Sequence, residues 1–335
     1  QEGSSVITVL WPDARLVLAG GGDYADAIAE LAAWLGWQVE RVSDPVTAAA
    51  LAAALGPGDA AVACGHEHEI VGQGEIKVMK RIVCRGSAIE ACATKHGTIV
   101  GPLMTELVGF KELTPYRGGW CGNEIFATAF PPKTRQRARD LTFRFGEQLK
   151  KEGYRGYFEL DFLIEKKSGD IWLGELNPRI TGASSMTNHA AFAHADAPLF
   201  LFHLLEFSGV DFDLDVEELN ARWADPSMID SWSQMVIKHT DDTVDILTRA
   251  PETGIYRMLD DGRVVFDRFD YHRRAVESEK EAFFLRILKP GDYRYEGADL
   301  GILVTRGRSM TNSFQLTERS KKWIDGIKSS FSARP

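Results

Sequence analysis

Between residues 157 and 164 polar and apolar side chains alternate with a period of two, and a polar interruption at residues 166–170 separates this stretch from a return strand. Phe158, Leu160, Phe162 and Ile164 fall on one face of a first strand, Glu159 and Asp161 on the other. The interruption, KKSGD, is polar and holds a glycine, which predicts a hairpin loop. The return strand, 171–177, puts Glu175 and Asn177 together on one face. With a five-residue loop, Asp161 lies opposite Glu175 and Glu159 opposite Asn177. A shorter, four-residue loop would mix polar and apolar residues on both faces, and is rejected.

The same reading divides the rest of the chain. Residues 15–19 are a short apolar strand ending in Gly20-Gly21-Gly22, and a helix with Ile28, Leu31, Ala32 and Leu35 on one side follows over 24–35. A second strand covers 38–42, an Ala-rich helix 46–55 and a third strand 60–64. This is a βαβ unit with a G-x-G-x-x-A turn. Asp44 stands where such units meet a ribose hydroxyl, although the fingerprint alone reads first as a structural layer. His66-Glu67-His68-Glu69 reads as a solvated rim before it reads as a metal site. Further strands are predicted over 75–82, 87–94 and 98–108, and a Gly- and aromatic-rich loop over 113–126 in which Tyr116, Arg117, Trp120 and Asn123 could face a substrate. Cys121 in that loop has no histidine beside it in sequence and is read as a packed thiol. A helix over 134–150 turns Ala138, Leu141, Phe145 and Leu149 inward. An apolar helix over 189–207 is interrupted around Pro198, and Glu217–Leu219 with Trp223 read as an acidic linker. Strands at 233–238, 254–258, 263–267, 293–295 and 301–305 and a helix near 315–331 make the remainder a separate β-rich segment.

Composition narrows the classes. The 335 residues suffice for two or three domains with buried cores. A net charge of −9 argues against a nucleic-acid partner while leaving room for a local cationic pocket. Four cysteines without zinc spacing point to reduced thiols and a cytoplasmic setting. No apolar run of about 18 residues occurs, so no membrane span is expected. The chain begins at Gln1 and reads as processed or incomplete.

Two carboxylates facing each other at roughly 4.5–5.5 Å between Cβ atoms destabilise a hairpin unless a cation joins them. An all-oxygen set of Asp161, Glu175 and the Asn177 amide suits Mg²⁺ carrying a nucleotide's phosphates. A solvated outer face is the plain alternative. Arg179, Gly182 and two serines follow directly, which is phosphate-binding chemistry.

GYFELDFLI followed by GELNPR resembles the closing metal-binding hairpin of ATP-grasp enzymes, a family that includes D-alanine ligase, biotin carboxylase and carboxylate–amine ligases. The resemblance covers roughly 74–330. It implies Asp161, Glu175 and Asn177 as metal ligands, with Glu159 as the competing first acid, and Arg179 (with Asn177) in contact with phosphate or the reaction intermediate. The run EIKVMK resembles the family's hinge strand, which implies Glu75, Lys77, Val78, Met79 and Lys80 against the adenine of ATP. GADLGILVTRGRS loosely resembles the β-rich C-terminal domain of biotin carboxylase-type enzymes. Residues 15–69 resemble the Rossmann domain of xanthine dehydrogenase accessory proteins, or equally the Rossmann-like domain that precedes the ATP-grasp fold.

The expectation is therefore an α/β and α+β chain of three parts. Residues 1–73 form a Rossmann-like domain, 74–230 an ATP-grasp core half with the metal-binding hairpin, and 231–335 a β-rich segment. The implied activity is an ATP-dependent ligase that converts a carboxylate to an acyl phosphate for attack by a nucleophile, foremost an amine. ATP and Mg²⁺ (or Mn²⁺) are the cofactors, the substrates are small molecules, and a homo-oligomer is left open. The family's lid, with its phosphate-binding lysine, has no room between Asp59 and Glu75, so slow turnover is expected. The alternative is a non-catalytic nucleotide- or cofactor-binding accessory protein with a degenerate ATP-grasp half.

Overall fold

The computed structural model describes residues 15–19, 23–34, 37–42, 47, 50–51, 60–63, 82–190, 198–271 and 273–335. Two compact units divide the chain, Gln1–Val83 and Cys84–Pro335. In the first, β1 (Arg15–Ala19), helix α1 (Asp23–Trp34), β2 (Gln38–Val42) and β3 (Ala60–Ala63) build a parallel sheet of order β2-β1-β3. Parallel neighbours need a crossover, and α1 supplies the one between β1 and β2. Leu16, Val17 and Leu18 are all buried, as a central strand covered on both faces requires. Ile28 and Ala32, one helical turn apart, close over Leu16 and Leu18. Gly20–Gly22, Asp44, His66–Glu69 and the expected hinge residues Glu75, Lys77, Val78, Met79 and Lys80 lie outside the described residues.

The second unit is organised by one antiparallel sheet. Its strands are β4 (Cys84–Ala93), β5 (Thr98–Val108), β6 (Trp120–Ile125), β7 (Gly156–Glu165), β8 (Ile171–Asn177) and β9 (Trp232–Lys238). After β10 (Asp245–Arg249), the sheet takes in β11 (Gly254–Met258), β12 (Val264–Arg268), β13 (Glu281–Arg286) and, past β14 (Tyr293–Arg294), β15 (Asp299–Arg306). The order is β12-β11-β13-β15-β9-β6-β5-β4-β7-β8. β10, β14 and β16 (Ser332–Arg334) form a small sheet of their own. The expected separate C-terminal segment is thus corrected: β9 pairs with β6, so residues from 232 onward extend the sheet begun at β4.

Helix α2 (Pro132–Lys151) covers one face of this sheet, where Phe158, Leu160, Phe162 and Ile164 meet Ile89, Leu103 and Ala138. On the opposite face Tyr157 and Ile99 meet Leu199 and Phe202 of α4 (Leu199–Ser208), while Ala88 and Met104 meet Met186 of α3 (Ser184–Ala190). Residues 191–197, between these two helices, are outside the described set. The expected acidic linker is instead helix α5 (Val216–Ala224). Asp215 caps it by accepting the Glu218 N–H at 2.9 Å, and Leu219 and Trp223 bury one turn apart. The expected loop 113–126 ends in strand β6, whose residues are buried on both faces and so carry no alternation. Helix α6 (Glu318–Lys328) packs Trp323, Ile324 and Ile327 into the core around Phe284 and Leu303. No helix among the described residues is long and apolar enough to cross a membrane.

One edge is completed by side chains. β6 flanks β5 only from Thr105 onward. Earlier along β5, Glu147 accepts the Thr98 N–H at 2.9 Å, and Asn220 accepts the Val100 N–H at 2.8 Å and donates to the Thr98 carbonyl at 2.9 Å. Arg139 donates to the Val100 and Gly101 carbonyls at 3.0 and 2.6 Å, and to the Asn220 and Trp223 carbonyls of α5 at 2.9 and 3.3 Å.

Candidate functional site

The β7–β8 hairpin closes more tightly than its sequence suggests. The Glu165 N–H donates to the Asp170 carbonyl at 2.8 Å, enclosing residues 166–169, so the expected five-residue loop is a four-residue one. Pairing beyond the turn runs Ile164↔Ile171, Leu163↔Trp172 and Phe162↔Leu173. A bulge then leaves Gly174 unpaired, and the register becomes Asp161↔Glu175, Leu160↔Leu176 and Glu159↔Asn177. The facing pairs are those predicted, reached by a tighter turn plus one extra residue.

Neighbouring strands bring more acid to the same face. Glu90 on β4 stands directly opposite Glu159. Glu106 on β5 reaches over Gly86, whose missing side chain leaves room for the carboxylate: an added Cβ would come within 2.5 Å of its Oε2. Glu90, Glu106, Glu159, Asp161 and Glu175 therefore share one face of the adjacent strands β5, β4, β7 and β8. Sequence reasoning missed Glu90 and Glu106. Each breaks an apolar stretch of a strand, which was the available signal, but their strands meet β7 and β8 only through long-range pairing.

Each acid is held differently. Glu90 is fully buried and accepts hydrogen bonds from the hydroxyls of Tyr157 (2.6 Å), Thr181 (3.0 Å) and Ser184. Burial raises its pKa, and these donors oppose the rise. Burial, followed by the charge of Glu90, pushes Glu159 up to about 8. Burial and then the charges of Asp161 and Glu175 push Glu106 to about 7. Burial and then Glu175 push Asp161 to about 6. Asn177 donates its amide N–H to Asp161 Oδ2 at 3.2 Å and accepts from Arg179 Nη2 at 3.0 Å, so acid, amide and guanidinium form one chain. Of the loop candidates, Trp120 and Asn123 do come to this face. Trp120 Nε1 donates to Asn123 Oδ1 at 3.0 Å, and Asn123 lies opposite Glu106 with its buried Nδ2 unpaired. Tyr116 turns away and donates to the Glu296 carbonyl at 3.4 Å. Cys121 is buried, donates to the Leu107 carbonyl at 3.3 Å and has its thiol pushed up to about 11 by burial, which makes it a packed thiol.

The donor set suits a hard divalent cation: Asp161 and Glu175 offer carboxylates, and the Asn177 amide oxygen keeps a second lone pair beyond the one that meets Arg179. Among the described residues no three His, Cys, Asp or Glu side chains converge as a ligand group.

The raised acids set a pH dependence. The folded chain keeps protons on Glu159 and Glu106 that the unfolded chain releases at the ordinary carboxylate range. Their contribution to stability is full below that range and is lost as pH rises through about 7 to about 8. In EDTA, the melting temperature should fall between about pH 5 and pH 8, and Glu159→Gln should flatten the fall. A melting temperature of the variant that tracks the parent's across that window would assign the dependence to other groups.

No family model matches the chain, and neither does any curated protein. Solved structures with similarity include an N5-carboxyaminoimidazole synthase from Aspergillus clavatus in complex with ADP and an aminoimidazole ribonucleotide, at 10% identity and TM-score 0.41, over 74% of this chain and 51% of that one. An L-amino acid ligase from Bacillus licheniformis matches at 11% identity and TM-score 0.43, over 76% and 53%. A Rhizobium etli pyruvate carboxylase with acetyl-coenzyme A matches at 12% identity and TM-score 0.45, over 77% and 20%. The chain thus spans about half the length of the first two and a fifth of the third. These are likenesses in outline, and the site stands on its own residues.

Proposed function

We propose that this chain binds Mg-ATP over its acidic sheet face and acts as an ATP-dependent ligase, activating a small carboxylate as an acyl phosphate for attack by an amine or a similar nucleophile. The observation that carries the reading is the hairpin register, which faces Asp161 with Glu175 and ties Asn177 to both Asp161 and Arg179. The chemistry is balanced: a carboxylate oxygen attacks the γ-phosphorus and ADP leaves, then the nucleophile attacks the acyl carbon and phosphate leaves.

Asp161, Glu175 and Asn177 would hold the cation, which when bound neutralises charge on the phosphate oxygens. Arg179 is exposed beyond the cluster and is placed to meet an anionic phosphoryl group while Asn177 fixes its guanidinium. Glu159, pushed up to about 8, is largely protonated at neutral pH and Glu106, pushed to about 7, about half so, and both therefore repel an incoming phosphate less than fully ionised acids would. Asn123 adds a buried, unspent N–H donor for a substrate oxygen.

Titration calorimetry with Mg-ADP should give saturable heat, and ATP with pools of carboxylates and amines should yield ADP only when both partners are present. No heat and no thermal shift at millimolar Mg-ADP would count against the reading.

A further inference from the structure

A cavity of about 810 Å³ opens at the turn end of the β7–β8 hairpin. Arg85, which lines it, is paired across β4 and β7 with Ile164, a residue packed on the α2 side. The cavity therefore lies on the side of the sheet away from the carboxylates. Its volume falls in the range that takes a small-molecule ligand. Arg85, Lys133, Arg137, Lys166 and Lys167 line it, against the two carboxylates of Glu165 and Asp170. Both acids are engaged: Asp170 lies 3.6 Å from Arg137, and Glu165 accepts from the Ser168 hydroxyl at 2.8 Å. On a chain of net charge −9, this is a local excess of positive charge.

The first turn of the 20-residue helix α2 contributes Lys133 and Thr134 to the wall. It carries no acidic residue and no side-chain cap, so its dipole favours an anion there; Pro131 and Pro132 bring no N–H, and the Thr134 and Arg135 N–H groups donate to the Pro131 carbonyl at 3.0 and 3.1 Å.

Arg85 is the centre of the cavity. Its guanidinium stacks against the rings of Phe130 and Phe314, while its Nε and Nη2 are buried without a hydrogen-bond partner. Burial pushes its pKa down to about 9, against a smaller opposing effect of Glu124. Phe130 and Phe314, at φ 79° and 61°, are also the two non-glycine residues with positive φ among the described residues. Bulky side chains rarely occupy that region, and strain of this kind gathers at ligand clamps. Two strained aromatics converge on one cation with unused donors.

We propose that this cavity binds a small molecule carrying a phosphate or diphosphate group, with Arg85 as its principal donor and Lys166 and Lys167 closing over it from the turn. The aromatic pair fixes the guanidinium plane so that two N–H groups meet two phosphate oxygens side by side. This site is independent of the ligase reading.

The test is calorimetric titration of the full chain with inorganic pyrophosphate in EDTA, which removes any metal-dependent binding on the other face. Saturable binding of one equivalent is expected, weakened about tenfold or more by Arg85→Met and severalfold by the Lys166→Gln/Lys167→Gln pair. Both lysines are exposed, so that second variant keeps the fold if the first does not. Arg179→Ala and a Lys321→Gln/Lys322→Gln control should leave the affinity unchanged. Absence of saturable heat at millimolar pyrophosphate would overturn the proposal. So would loss on Arg179→Ala with the cavity variants unaffected, or equal losses from both lysine pairs.

Discussion

Glu175→Gln should weaken Mg-ADP binding about a hundredfold or more, and Glu159→Gln only severalfold, although both residues lie on one face of one hairpin. The bulge at Gly174 sets Glu175 against Asp161, so the change removes one of two facing carboxylates from the cation's donor set. Replacing even a residue that only orients a metal ligand costs about tenfold to a hundredfold, and a ligand itself should cost more. Glu159 faces an amide instead and, pushed up to about 8, already carries a proton at neutral pH. Glutamine therefore resembles the form it replaces. Calorimetry at pH 7 decides the matter: equal losses would mean that Glu159 is the first-strand ligand and that the acids have been assigned in the wrong order. At about pH 9, where Glu159 ionises, the gap between the two variants should narrow.

Arg139→Met should lower the unfolding free energy by about 3 kcal/mol or more, a large share of what holds an ordinary domain together. Its guanidinium donates to the Val100 and Gly101 carbonyls at the open edge of β5 and to the Asn220 and Trp223 carbonyls of α5. Methionine keeps the aliphatic bulk and strips those acceptors of their donor in a buried place, where each orphaned carbonyl costs about 1–3 kcal/mol before relaxation. Arg144→Met is the control, because that exposed side chain only reaches back one turn to the Asp140 carbonyl. Urea denaturation compares the two, and a loss below about 1 kcal/mol for Arg139→Met would show that water or α5 itself can take over the edge.

Sequence reading succeeded where a strand has one covered face and one chemically distinct face. On β7 the apolar set packs under α2 and the acids point away, so period-two alternation survives in the sequence. It failed where burial is two-sided. β6 holds Cys121, Asn123 and Glu124, all buried, and a polar strand in the middle of a sheet looks like a loop. Helix α5 was hidden by its acids, which serve its cap and first turn while Leu219 and Trp223 do the packing. Arg139 is buried beside Ala138 on α2, and nothing local in the sequence separates a buried arginine from a solvated one. Glu90 and Glu106 belong to the acidic face through pairing of β4 with β5 and β7, and that neighbourhood is a property of the folded sheet.

The Gly174 bulge works as a mechanical buffer between two tasks. A hairpin with uniform pairing transmits any change of turn length to every residue along both strands, because a slip of one position inverts the faces. Here the slip set by the tight turn is taken up before Asp161. Residues 166–169 can therefore be exchanged or extended to suit whatever meets them at the tip, while the acids farther along keep their partners. A dye or an inserted peptide at Ser168 should report on events at the tip of this hairpin without disturbing its far end.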